Sequence, residues 1–467
     1  MNKDILYNED TIAAISTPPG EGGIAVLRIS GPESLAILKK IFIIPESRNE
    51  YIFETRKMVF GLIYDPKTNK RLDNVMCVFF KSPNSYTGED TVEIYSHGGY
   101  IVPNRILKVV INEGARPAEA GEFTKRAFLN GKMDLTQAEA VANVIHAQTE
   151  TGLNYAESQL EGKLSKVING LKEKILDILA DIEAHVDFPE EGIEDSVKND
   201  ILKRTEHMLL ELKKLIGTYD LGKIFKNGIQ TAILGKPNVG KSSLLNQLLN
   251  KDRAIVSPLA GTTRDFIEGV IDLNGIPLKI IDTAGIRSTS DEIEKLGVDL
   301  TGKKAREAEF ILIVIDGSST PDDDDKEVFS HSFNKKGVII LNKCDLGIKV
   351  SKDFLSHLPG NLPVAEISAL NGNGIEELKQ LVHDTILENN GNAESAETVL
   401  TDMRHKLSLE KCKKHLLAFI ELIKREESPE YLALDLRLAL DSLGEITGEI
   451  TTEDLLGKIF SKFCIGK

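Results

Sequence analysis

Three kinds of hydrophobic patterning succeed one another along the chain. From residue 1 to about 125, short apolar runs alternate with turn residues. GIAVLRISG (23–31), RLDNVMCVFF (71–80) and DTVEIYSHGG (90–99) predict strands, and PNRILKVVINEGA (103–115) predicts a helix. From about residue 132, apolar residues recur every three or four positions. LTQAEAVANVIHAQTE (135–150), KLSKVINGLKEKILDILADIEAHVD (163–187) and VKNDILKRTEHMLLELKKLIGTY (197–219) therefore predict long amphipathic helices, two of them separated by the Pro-acidic break FPEEGIEDS (188–196). From 228 to about 388, the strand-like runs IQTAILG, PLKIIDT, FILIVID, GVIILNK and PVAEIS alternate with helical stretches, the pattern of a mainly parallel sheet covered on both faces. After the polar stretch ENNGNAESAE (388–397), helical spacing returns over 405–425, 430–446 and 453–463.

The helices before residue 220 and those after 400 each have an apolar face and too few residues to bury it alone. The economical arrangement packs the two sets together, with the α/β unit inserted between them. The expected organisation is an α+β N-terminal domain (1–125), a split all-α helical domain (126–224 and 389–467) and an inserted α/β domain (225–388).

Composition narrows the function. The chain carries 57 basic and 72 acidic residues, a net charge of −15. That balance argues against a generic polyanion binder, while leaving room for RNA contact through a local basic patch. Four cysteines (Cys77, Cys344, Cys412, Cys464), none spaced as a metal pair, suit a reducing compartment. The N-terminus shows no apolar signal segment, and the longest apolar runs, such as FILIVI (310–315), are too short to span a bilayer. The expectation is a cytoplasmic protein without a membrane anchor.

The chemistry concentrates in the inserted domain. GKPNVGKS (235–242) fits G-x-x-x-x-G-K-S, follows a strand pattern and opens a helix pattern. Its glycines let backbone N–H groups close around phosphate oxygens, and the helix N-terminus adds positive potential. Asn238, Val239, Gly240, Lys241, Ser242 and Ser243 are the candidate phosphate contacts, with Lys241 on the terminal phosphates and Ser242 on Mg²⁺. Downstream, VSPLAGTTRD supplies Ser257, Pro258, Leu259, Ala260, Gly261, Thr262 and Thr263, with Thr263 as second Mg²⁺ ligand. DTAG supplies Asp282, Thr283, Ala284 and Gly285, of which Asp282 approaches Mg²⁺ and Gly285 senses the γ-phosphate. NKCD places Asn342 at the N7 edge of a guanine, Lys343 over the ring and Asp345 as bidentate acceptor for its amino and imino protons; SAL (Ser368, Ala369, Leu370) offers a backbone N–H to its carbonyl. Together these motifs specify a Ras-like P-loop GTPase. One position departs from Ras: Ile286 stands where a glutamine would orient the attacking water. Asp291, Glu292 and Glu294, in a segment with Thr289/Glu292 capping-box spacing, are candidates for that role, and spacing does not choose among them. Asn238 is a candidate ligand for a monovalent cation.

Several stretches together, TPPGEGGIAVLRISG, SYTGEDTVEIYSHGG, GEFTKRAFLNGKMDLTQAEA, GTTRD and the terminal FCIGK, resemble the MnmE (TrmE) family of tRNA-modification GTPases over essentially the whole chain. The resemblance implies an N-terminal domain like the folate-binding domain of aminomethyl-transferring enzymes and a homodimer. It also implies a flavoprotein partner, MnmG (GidA), in a heterotetramer. The implied activity is formation of an aminomethyl or carboxymethylaminomethyl group on the wobble uridine of certain tRNAs, with the one-carbon unit from a 5-formyl- or methylene-tetrahydrofolate. Hydrolysis is implied to need K⁺, with Asn238, Ser257, Leu259 and Thr262 as its ligands and Glu294 as the catalytic residue. The implied folate-binding positions are Arg28, Glu93, Lys132 and Lys467. Pro258 departs from the usual family residue there; it removes an N–H but keeps its C=O. The competing reading is a regulatory ribosome-assembly GTPase without modification chemistry, which the nucleotide motifs fit equally well.

The C-terminal pentapeptide FCIGK (463–467) does not fit a prenylation box, because Gly466 and Lys467 are wrong for its last two positions. It follows an amphipathic segment that would dock it, so it reads as a functional arm, and the resemblance implies that Cys464 lies near the chemistry. The guanine reading makes a direct prediction: Asp345→Asn weakens the preference for GTP over xanthosine triphosphate, and unchanged preference in competition assays overturns the assignment.

Overall fold

The computed structural model describes residues 10–45, 52–187, 195–252, 269–281, 306–330, 335–356, 361–388 and 398–467. The N-terminal unit contains β1 (Ile12–Ile15), β2 (Ile24–Ser30), α1 (Ser34–Ile41), β3 (Phe42–Ile43), β4 (Met58–Asp65), β5 (Lys70–Phe80), β6 (Thr91–His97), α2 (Ile101–Asn112), β7 (Arg116–Pro117) and α3 (Glu122–Leu129). Its seven strands form one sheet in the order β3-β4-β5-β6-β2-β1-β7. Strand alternation sends Leu27, Ile29, Val92 and Ile94 into a core shared with Ile37, Leu38 and Ile106 of the helices. The same alternation turns Arg28, Glu93 and Tyr95 to the opposite face, where each is half-buried.

Helices α4 (Leu135–His146), α5 (Glu150–Leu160), α6 (Lys163–Asp187), α7 (Asp195–Gly217) and α8 (Tyr219–Asn227) follow. The helix expected over 135–150 stops at His146: Ala147 turns extended, and Thr149 caps the next helix, α5, by accepting from the Gly152 N–H.

The inserted unit runs through β8 (Ile229–Leu234), α9 (Lys241–Asp252), β9 (Val270–Leu273), β10 (Ile276–Ile280), β11 (Phe310–Asp316), α10 (Asp323–Ser330), β12 (Lys336–Asn342), α11 (Lys352–Ser356), β13 (Val364–Glu366) and α12 (Ile375–Leu387). Its sheet has the order β13-β12-β11-β8-β10-β9 and is parallel except for the β9–β10 hairpin. Both faces are covered: Phe310, Leu312 and Val314 enter one core, and Ile311, Ile313 and Ile315 enter the other.

Helices α13 (Met403–Lys424), α14 (Pro429–Thr447) and α15 (Glu453–Phe460) complete the chain. Ile168, Ile175, Ile182 and Leu212 from before the insertion share one core with Leu409, Leu416, Phe419, Leu436 and Leu443 from after it. The split helical domain is therefore one packed body. Its second, smaller core joins Leu135, Ala138 and Val141 of α4 to Leu456, Ile459, Phe460 and Phe463 at the chain end.

A buried ionic cluster ties this body together where the inserted unit leaves it. Arg404 donates to both carboxylate oxygens of Glu139 (3.0 and 2.9 Å) and to the carbonyl of Ile446 (3.1 Å). The fully buried His405 places Nε2 2.8 Å from Glu139 Oε2, and Lys226 pairs with Asp402. The two acids are thus answered by protein cations rather than left as a metal cage. Burial works to raise the Glu139 pKa, but His405 and Arg404 outweigh it and push it down to about 2. The stabilisation from this ionised carboxylate is complete above its ordinary 4.5 and is lost as pH falls toward about 2. Glu139→Ala, which strands Arg404 and His405, is expected to destabilise the helical domain by roughly 3–5 kcal/mol in urea titrations at pH 7. Glu139→Gln should flatten the acid dependence over that window.

Candidate functional site

The nucleotide site grows from the end of β8. The chain leaves the strand at Gly235, whose φ of 151° brings the backbone against β11: a Cβ there would lie 2.4 Å from the Val314 carbonyl oxygen. Asn238 adopts the left-handed conformation (φ 63°), and Val239 turns its side chain into the core. At Gly240 (φ 98°) a Cβ would stand 2.2 Å from Asn342 Nδ2. Helix α9 then begins at Lys241, with its first N–H groups facing the loop. Lys241 Nζ donates to the carbonyls of Gly235 (2.8 Å) and Lys236 (2.6 Å). Ser242 and Ser243 lie exposed on the first turn.

Asn342 is the last residue of β12 and is 2% exposed. Its Nδ2 donates to the Val239 carbonyl (2.8 Å), and its Oδ1 accepts from the Ala369 N–H (2.9 Å). One side-chain amide therefore ties the phosphate loop to the Ser368–Leu370 turn. Of the Ser368–Leu370 N–H groups, one of which is expected on a guanine carbonyl, that of Ala369 is directed at Asn342 here. Lys343 takes a left-handed backbone (φ 63°), and its Nζ donates to Asp316 Oδ2 at 2.6 Å. Burial opposes ionisation of Asp316, but Lys343 and Ser318 outweigh it and lower its pKa. Asp345 is exposed in the short 3-10 turn Cys344–Leu346, beside the exposed Leu370 loop closed by Ser368. Asp316 was not singled out by motif reasoning, although it ends a β11 pattern whose register pairs it with Asn342. Ser257, Pro258, Leu259, Ala260, Gly261, Thr262, Thr263, Asp282, Thr283, Ala284, Gly285 and Glu294 lie outside the described residues.

A second constellation forms on the face of the N-terminal sheet opposite its main core. Arg28 and Glu93 are register partners on β2 and β6. Arg28 Nε and Nη2 both donate to Glu93 Oε1 (2.9 and 2.8 Å), and Tyr95 Oη donates to Glu93 Oε2 (2.7 Å). Burial and Glu93 together push the Tyr95 hydroxyl up to about 12, so it stays a donor. The Arg28 guanidinium lies 5.2 Å from the Tyr86 ring centroid and 5.6 Å from that of Phe123. Tyr95, Tyr86 and Phe123 were not anticipated; the two-residue spacing of Glu93 and Tyr95 on one strand is the signal that could have found the first.

The chain end closes this site. Ile465 pairs with Ala120 as an antiparallel bridge, and the Gly121 N–H donates to the Cys464 carbonyl (3.4 Å). Gly466 (φ 97°) runs so close to β1 that a Cβ would meet the Ile15 carbonyl oxygen at 2.5 Å. Lys467 is thereby half-buried beside Arg28 and Glu93; burial and Arg28 lower its pKa against the pull of Glu93. Cys464 is exposed. Lys132 donates to the Pro83 carbonyl (3.0 Å), on the loop that also carries Tyr86. The structure thus pairs Arg28 with Glu93, brings Lys467 within electrostatic reach of both and places Lys132 against the neighbouring loop. A site with a carboxylate acceptor, two cations and aromatic walls suits a ring bearing N–H donors with an anionic tail.

The MnmE helical domain family matches residues 135–464, and the family described as GTP-binding protein TrmE N-terminus matches residues 11–132. Among curated relatives, the tRNA modification GTPase MnmE of Natranaerobius thermophilus is 46% identical over 459 residues, 98% of this chain and 100% of its own. That of Aquifex aeolicus is 44% identical over 98% of this chain and 100% of its own, and that of Clostridioides difficile 42% over 99% and 100%.

The loop geometry carries its own test. Gly240→Ala forces a side chain into a left-handed backbone, a strain of about 1–3 kcal/mol, and drives Asn342 off the loop. GDP affinity, followed by fluorescence of a labelled nucleotide, is expected to fall by roughly tenfold or more.

Proposed function

Because the chain belongs to the MnmE family of tRNA-modification GTPases, we propose that it couples potassium-dependent GTP hydrolysis to aminomethyl or carboxymethylaminomethyl formation on the wobble uridine of certain tRNAs. It is a GTP hydrolase acting in tRNA modification. In our reading it works as a cytoplasmic homodimer that joins the flavoprotein MnmG in a heterotetramer. No helix among the described residues is long and apolar enough to cross a membrane.

In the G domain, Lys241 and the N–H groups at the start of α9 meet the phosphates, Ser242 and Thr263 would hold Mg²⁺, and Asp345 accepts from the guanine edge. Asn342 uses one N–H and its oxygen within the protein and directs its other N–H to N7. The Asn238 side chain, on its left-handed turn, would hold K⁺ together with Ser257, Leu259 and Thr262, and the ion would supply positive charge in place of an arginine finger. Glu294 positions the hydrolytic water.

The folate half of the proposal is supported by one observation above all: the last residue of the chain ends beside the Arg28–Glu93 pair. Glu93 accepts from the N–H groups of a pterin, while Arg28 and Lys467, with Lys132 at the rim, offset the glutamyl carboxylates. A 5-formyl- or methylene-tetrahydrofolate would supply the one-carbon unit, and Cys464 stands three residues before the half-buried Lys467.

Three measurements test this. Nucleoside mass spectrometry of tRNA from cells lacking the protein should show unmodified wobble uridines; an unchanged profile overturns the modification reading. Hydrolysis should be much faster in K⁺ than in Na⁺, and equal rates remove the cation from Asn238. The full chain should bind 5-formyl-tetrahydrofolate and lose roughly tenfold or more in affinity on Glu93→Ala. No binding, with intact wobble uridines, would favour a ribosome-assembly role.

A further inference from the structure

Lys236, the second residue of the phosphate loop, has a part that the loop motif does not specify. Its Nζ lies 2.7 Å from Asp322 Oδ2 and 2.8 Å from Asp325 Oδ2. Asp325 is almost completely buried at the start of α10, although it stands in the acidic run DDDD (322–325) that reads in the sequence as a solvated face. Its carboxylate is locked by a reciprocal pair: the Asp322 N–H donates to Asp325 Oδ2 (3.1 Å), and the Asp325 N–H donates to Asp322 Oδ1 (3.2 Å). The Lys236 ammonium is therefore answered by two carboxylates of a rigid helix start and is not aimed at a phosphate. Its backbone carbonyl, however, accepts from Lys241 Nζ at 2.6 Å.

We infer that Lys236 and Asp325 are positioning residues for GTP. Asp325 fixes the Lys236 side chain, the Lys236 carbonyl fixes Lys241 Nζ, and Lys241 meets the β- and γ-phosphates. Strand β11 itself holds the loop at a second point, where Gly235 abuts the Val314 carbonyl. A loop braced from outside in this way presents Lys241 without first being ordered by the nucleotide, and such pre-organisation lowers the cost of binding. An exposed lysine–aspartate pair would contribute little; the burial of Asp325 and its two fixed N–H and carboxylate contacts separate this pair from that class.

The inference rests on the assignment of Lys241 to the phosphates, and the experiment separates the two. Affinities of the full chain for labelled GDP and a non-hydrolysable GTP analogue are measured by fluorescence, and that for GMP by competition. Lys236→Met and Asp325→Asn are each expected to weaken GDP and GTP binding by about tenfold. GMP, which lacks both phosphates that Lys241 reaches, should change less than about twofold. Lys236→Arg should stay near the wild type, and the double variant Lys236→Met/Asp325→Asn should be no weaker than the worse single one. A parallel loss of GMP means a collapsed loop, and loss of GTP without GDP means that Lys236 is itself a γ-phosphate ligand; either overturns the inference. So does unchanged GDP affinity in a variant whose thermal melt matches the wild type. If Lys236→Met does not fold, Asp325→Asn and Lys236→Arg decide the matter. Failure of the wild type to bind GDP would instead remove the Lys241 assignment.

Discussion

Wherever a domain is inserted into another, the chain must leave and return through neighbouring points, and the host must close around both. Here the outgoing helix α8 and the returning segment before α13 touch: a Cβ on Gly222 would lie 2.1 Å from the Leu400 carbonyl oxygen, and the Leu400 N–H donates to Thr218 Oγ1. Lys226 on the way out pairs with Asp402 on the way back. A few residues further on, Arg404 and His405 reach across to Glu139 of α4. Buried charges of this kind contribute less to net stability than to register, because any other alignment strands one of them. The shared core of the helical domain, drawn from both segments, depends on that alignment.

The same crossing sets where the two candidate sites stand. Thr149, at the start of α5, donates to the Gly275 carbonyl on the β9–β10 turn, so the helical domain touches the G domain at a hairpin as well as at the two crossings. At its other end, α4 packs against α15 and Phe463, which aim the chain terminus at the N-terminal sheet. Two successive helices thus share the work: α5, through its cap, meets the inserted unit, and α4 docks the C-terminal arm.

Both sites are built from side chains that are already held by protein partners. Asn342 is fixed by Val239 and Ala369, Lys343 by Asp316, and Glu93 by Arg28 and Tyr95. Groups fixed in this way meet a ligand with little loss of rotamer freedom. The arrangement also explains the glycines: Gly240 and Gly466 stand where a neighbour occupies the space of a side chain and the backbone is left-handed.

Much of this was legible in the residues. Period-2 alternation in β2 and β6 and the 3-to-4 spacing in α6 and α13 specify element type, because burial on one face imposes those periods locally. The phosphate loop was equally legible as a motif, since its glycines, Lys241 and Ser242 stand together in the single run 235–242. The break at Ala147 was not, because both halves carry the same helical period and the cap at Thr149 uses its hydroxyl for the G-domain hairpin as well. Asp316 and Asp325 were invisible for a related reason: each acquires its role from a partner brought near by the fold, Lys343 at the end of the next strand and Lys236 from eighty-odd positions upstream. The sequence by itself determined the element types and the phosphate-loop motif, which are carried by near neighbours in the chain. Only the tertiary structure decided that Lys467 would lie beside Arg28 and Glu93, because burial of α15 and Phe463, and the close passage of Gly466 along β1, position the chain end from outside the pentapeptide.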